Sequence, residues 1–140
     1  MGKSTFRLDL FGKDQTDFDI HLCERLVREK PDFADALMVL GEAYTRKGLV
    51  KKGLTIDRRL VRLKPKDPIA YYNLACDYSL LNNIDKGVWA LSRALSLGYD
   101  DLDLLSKDED LKNLRSDPRY DKLIAKFLSH KKSRKAHLPK

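Results

Sequence analysis

The chain has 140 residues, 42% of them hydrophobic and 35% charged, with a formal charge of +7. That is enough for one domain with a real core; no uninterrupted apolar run nears the ~20 residues that cross a bilayer, and Cys23 and Cys76, with no CxxC spacing, form no disulfide framework. The charge is uneven, at net +5 over residues 31–66, −3 over 67–101 and +6 over 126–140.

Residues 1–13 alternate, with Phe6, Leu8 and Leu10 on one side and Arg7 and Asp9 on the other, which predicts an extended arm over 1–17. Arg7, Asp9 and Lys13 interrupt any apolar core of a secretion signal, so the expected address is cytoplasmic. Gly2-Lys3-Ser4-Thr5 lacks the upstream glycine of a phosphate loop. Ile20, Leu22, Cys23, Leu26 and Val27 then mark a helix over 18–31 that ends at Pro31.

A second helix is expected after Asp32, which could cap it. Ala36, Leu37, Leu40, Ala43 and Tyr44 form its apolar stripe, and Gly48 ends it. Leu54, Ile56, Leu60, Val61 and Leu63 form the next helix, which stops before Pro65. Asp67 and Pro68 open a fourth, as cap and first helical residue. Tyr71, Leu74, Ala75 and Tyr78 mark one stripe of it, and Ile69, Tyr72, Cys76 and Leu80 another. Asn82-Asn83 makes the turn, since Asn tolerates the left-handed conformation. Val88, Trp89, Leu91, Ala94, Leu95 and Leu97 fill a fifth helix, closed by Gly98.

These helices repeat. Leu37, Leu40, Gly41 and Tyr44 recur 34 positions later as Tyr71, Leu74, Ala75 and Tyr78, and the same offset joins Pro31 to Pro65, Gly48 to Asn82 and Gly53 to Gly87. A period of this length means stacked helical hairpins that bury their apolar faces only against one another. The period gives a half repeat (18–31) and two full repeats (34–67 and 68–101), then fails. Over 102–128, Ser106 with Glu109 reads as a capping box, and Asp117-Pro118 starts a helix bearing Tyr120, Leu123, Ile124, Phe127 and Leu128. From Ser129 on, little is left to bury, and residues 129–140 read as a basic disordered tail.

The repeat resembles the tetratricopeptide repeat. Leu37, Leu40-Gly41, Tyr44, Gly53, Leu60 and Pro65 fit its pattern in the first unit, and Tyr71, Leu74-Ala75, Tyr78, Gly87, Leu91 and Ala94 in the second; Asp57 stands at an aromatic position and Tyr99 at the proline position. Leu111 to Tyr120, with Leu114-Arg115-Ser116-Asp117-Pro118-Arg119-Tyr120, is similar to the degenerate unit that often closes such stacks. The resemblance implies an all-α, short right-handed superhelix of antiparallel hairpins that binds a protein or peptide in its concave groove and catalyses nothing. It places Asp35, Met38, Glu42 and Thr45 in that groove, then Ile69, Tyr72, Cys76 and Ser79, with Asn73 beside them. Tyr72 is the expected anchor, aromatic residues being enriched at hot spots; the alternative is that Tyr72 and Ile69 pack under the N-terminal arm or the terminal helices. The carboxylate clamp of the chaperone-binding members is not expected, because Met38 and Glu42 stand where that clamp needs Lys and Asn.

A second reading is weak, salt-sensitive binding of RNA or DNA through Lys51, Lys52, Arg58, Arg59 and Arg62 and through Lys131, Lys132, Arg134 and Lys135. No aromatic interleaves these charges for base stacking. His21, His130 and His137 have no metal-ligand spacing, and no cofactor or metal is expected.

Overall fold

The computed structural model of the chain describes residues 15–136, with side chains as far as Ser133. Every regular element among them is helical: α1 (Gln15–Glu29), α2 (Ala34–Arg46), α3 (Val50–Leu63), α4 (Pro68–Leu80), α5 (Ile84–Ser96), α6 (Leu102–Lys107), a 3₁₀ turn (Glu109–Leu111), α7 (Lys112–Arg115) and α8 (Pro118–Ala136). Each of α1 to α4 packs on the next helix, and α2 also touches α4. The hairpins α2/α3 and α4/α5 are therefore stacked, with α1 as the half unit before them. This is the all-α helical repeat stack that the 34-residue period predicts.

Three turns share one geometry. Gly48, Asn82 and Gly98 have φ of 89°, 58° and 111°. After α2, Gly48 N donates to Thr45 O at 3.0 Å and Leu49 N to Tyr44 O at 2.8 Å; after α4, Asn82 N donates to Ser79 O at 2.9 Å and Asn83 N to Tyr78 O at 2.8 Å. Such paired bonds occupy carbonyls that a helix C-terminus leaves open, and they need one left-handed residue, which Gly or Asn supplies.

Helix starts are less uniform. Asp67 caps α4, accepting from Ile69 N at 2.9 Å, with Pro68 as first residue. Asp32 does not cap α2: Phe33 N donates to Lys30 O at 3.0 Å, and this turn moves the helix start past Asp32, so that Phe33 takes the cap position without a side-chain bond. The expected capping box at Ser106 and Glu109 is also absent. Ser106 lies inside α6, bonded to Asp103 O, while Asp101 caps α6 and Asp108 caps the 3₁₀ turn. An acid accepts the exposed N–H groups as well as a serine does, and Asp101 and Asp108 stand at the two starts to compete with it.

The ends differ from expectation as well. Residues 1–14 of the expected arm lie outside the described residues, and 15–17 belong to α1, because Thr16 is buried against α2 with its hydroxyl accepting from Arg46 Nε at 2.9 Å. The residues from Ser129 to Ala136 continue α8 as helix. Lys, Arg and Ala are good helix formers, and no Gly or Pro interrupts the run from Arg119 to Leu138.

The core has two parts. Cys23, Val27, Ala36, Leu37, Leu40, Tyr44, Leu60 and Ala70 join α1, α2 and α3 to the start of α4. A larger part joins α4 and α5 to the terminal unit through Tyr71, Tyr72, Leu74, Leu91, Leu105, Leu111, Leu114 and Tyr120.

Candidate partner-binding surface

α2 carries Asp35, Met38, Glu42 and Thr45 at three- and four-residue steps, and hence on one side. Asp35 and Glu42 are exposed or nearly so, and Met38 and Thr45 half-buried. Two contacts tie this side to α4: the Asn73 amide donates to the Met38 sulfur at 3.1 Å, and the Thr45 hydroxyl donates to Asp77 at 2.8 Å. The structure thus brings these four α2 residues together on one side, two of them in contact with α4. Val39, which the sequence reading passed over, belongs with them. It is 42% exposed and borders two shallow depressions, one reaching Asp19, Glu42 and Arg46, the other Asp35, Met38 and Lys64. Its signal in the sequence is an apolar residue between Met38 and Leu40 that the buried stripe does not use. Ile69, at the start of α4, is 45% exposed.

The rest of the groove set is covered. Tyr72, Cys76 and Ser79 are buried under the chain's own terminal unit, and the expected contact anchor is a core residue. The Tyr72 ring stacks on Tyr99 with centroids 4.4 Å apart and planes 6° from parallel, and its hydroxyl donates to Asp108. Ser79 receives Leu114 N at 3.1 Å on its hydroxyl and the Asn113 amide at 3.0 Å on its carbonyl. Arg115 fixes the covering segment by donating to Leu105 O at 2.8 Å and Asp108 O at 2.7 Å. The sequence located the closing unit but not the side of the stack it lies on: one stripe of an apolar helix looks the same whether a partner or its own chain covers it.

Burial dominates the electrostatics. It pushes the Tyr72 hydroxyl far above its ordinary range, with the Cys76 and Asp108 charges and the bond to Asp108 adding to the effect, and it pushes Tyr99 up to about 12. The Cys76 thiol is likewise raised by burial and then by Asp108, and the Cys23 thiol by burial and then by Asp19. Both cysteines stay protonated and unreactive at neutral pH. At the other end, Tyr44 is pushed up to about 12 by burial and by its bond to the Glu24 carboxylate, which pins α2 to α1.

The basic residues divide. On α3, Lys51, Arg58 and Arg62 point away from the core, while Lys52 lies 5.6 Å from the Tyr44 ring centre and Arg59 donates to Pro31 O. On α8, Lys131 and Lys132 are exposed, and the helix continues through Arg134 and Lys135. α3 packs on α2 and α4 whereas α8 packs on α5 and α7, so the two basic sets sit on different parts of the stack.

No family model matches the sequence. A chloroplastic protein of Arabidopsis thaliana is 33% identical over 90 residues, which cover 62% of this chain. The chain spans only 27% of that relative's length. Among the described residues no helix is long and apolar enough to cross a membrane.

Proposed function

We propose that the chain is an interaction module of tetratricopeptide type, non-catalytic, acting as an adaptor or assembly factor for another protein. The reading rests on the 34-residue recurrence of turns and packing positions, and on one observation above all: α2 keeps Val39 open beside Asp35 and Glu42, while the equivalent side of α4 is closed from Tyr72 to Ser79 and open only at Ile69. The half-buried Met38 and exposed Val39 of α2, with Asp35 and Glu42 alongside, and the exposed Ile69 at the start of α4 suit a short apolar segment of a partner flanked by Lys or Arg. The relative's name places that protein in the chloroplast, whereas the sequence reading gives the cytoplasm for this one; a fluorescent fusion distinguishes the two.

A displayed peptide library panned on the full chain tests the surface. Selected peptides are expected to carry apolar and basic residues, and Val39→Glu and Ile69→Glu are each expected to weaken their binding by about 1–2 kcal/mol, roughly five- to thirtyfold. Peptides that bind both variants as tightly as the unchanged chain would place the contact elsewhere.

A further inference from the structure

The seam between the two hairpins holds an unusual pair. Asp57 of α3 and Asp77 of α4 are each 1% exposed. Their carboxyls lie within hydrogen-bonding reach of each other. Asp77 also receives the Thr45 hydroxyl at 2.8 Å. Asp57 Oδ1 and Asp77 Oδ2 are buried with no donor. Small residues make the space: a Cβ on Gly41 would fall 2.1 Å from Asp57 Oδ1, and one on Gly53 would fall 2.6 Å from Thr45 Oγ1 and 3.6 Å from Asp77 Oδ1. Asp57 stands 34 residues before Leu91, so a carboxyl occupies a position that holds an apolar side chain in the next hairpin.

Two ionised carboxylates cannot share such a site without a counter-charge. None is present among the described residues: the charged groups that bear on the pair are Glu42 from α2 and Asp110 from the 3₁₀ turn, both acids. Cys76, next to Asp77 on α4, is a protonated thiol. A proton held between the carboxyls removes the repulsion and supplies the missing donor.

We propose that Asp57 and Asp77 hold one proton between them at neutral pH, and that this proton latches the α3–α4 seam, so that its release to solvent at alkaline pH leaves two buried carboxylates in contact and opens the stack there. Asp57 is the donor: burial first, then the bond to and charge of Asp77, hold its proton well above the carboxylate range. The sign follows. The folded chain keeps a proton that the unfolded chain loses above about pH 4. The stabilisation is therefore complete below that pH and is lost as pH rises towards the folded value. The contacts that tie α2 to α4, Asn73 to Met38 and Thr45 to Asp77, lose their geometry with the seam.

The test is denaturant unfolding of the full chain from pH 5 to pH 9, alongside Asp57→Asn, whose amide keeps the donor and removes the second charge. Relative to the variant, the wild-type folding constant is expected to fall about tenfold per pH unit. Thr45→Val is expected to lower stability at every pH without changing that slope. Hydrogen exchange at pH 9 should quicken in α3 and α4 before α5 to α8. Curves for wild type and Asp57→Asn that run parallel across the range overturn the proposal. Should Asp57→Asn not fold, Asp77→Asn is read against the same expectation. In either case the wild type must show at pH 7 the infrared carbonyl band of a protonated carboxyl, and its absence overturns the proposal too.

Discussion

α2 and α4 are the same helix twice in the repeat, yet the chain treats them differently. α2 buries one side, Ala36, Leu37, Leu40, Ala43 and Tyr44, and shows the other. α4 is buried nearly all round, from Ala70 to Ser79 with only Asn73 half-open. The difference is the terminal unit. The 3₁₀ turn and α7 lie across α4, and this unit meets Tyr72, Cys76 and Ser79 with Asp108, Asn113 and Leu114. A position in a repeat therefore states only which way a side chain points; the neighbour that happens to lie there decides whether it binds or packs.

Three substitutions sharpen that contrast, from the largest effect to the smallest. Tyr72→Ala removes a buried ring from its stack on Tyr99 and is expected to cost about 3–5 kcal/mol in denaturant unfolding; a midpoint unchanged by it would mean that the terminal unit does not cover α4 in solution. Arg115→Ala leaves the Leu105 and Asp108 carbonyls without their donor, and a loss of about 1–3 kcal/mol is expected. Limited proteolysis should then cut first between α6 and α7, and an unaltered cleavage pattern would argue against the pinning role. Val39→Glu, on the open face of α2, should change stability by no more than about 0.5 kcal/mol, and its effect should appear in peptide binding alone. A large drop in thermal midpoint for this variant would show that Val39 is packed and the strip is not open.

Much of the fold was legible because it depends on local rules. Gly48, Asn82 and Gly98 had to be left-handed, Asp67 and Pro68 had to open a helix, and the stripes on α2 and α3 had to face one another. The two helix starts that differ do so for different reasons: at Asp32 a turn moves the start on by one residue, to Phe33, which caps without a side-chain bond, and at Ser106 the carboxylates of Asp101 and Asp108 take the N–H groups instead. Of the expected tail, residues 129–136 are helical, because helix propensity prevails over low hydrophobicity once Tyr120, Leu123 and Phe127 have nucleated α8 on the core, and residues 137–140 lie outside the described residues. The candidate site was half legible: the α2 positions stayed together and open, the α4 positions became core, and Val39 went unmarked.

Asp57 shows the same division within one residue. The sequence by itself determined that a carboxylate, Asp57, stands at a repeat position that holds Leu91 34 residues on. It also determined the number of hairpins, their turns and their stacking, since these follow from spacing and backbone preference within a few residues. That Asp57 meets Asp77, and that Tyr72 meets Tyr99 and Asp108, was decided by the tertiary structure. Such contacts join residues far apart in sequence on different elements, and burial, which sets both their protonation and their availability to a partner, exists only after the helices have packed.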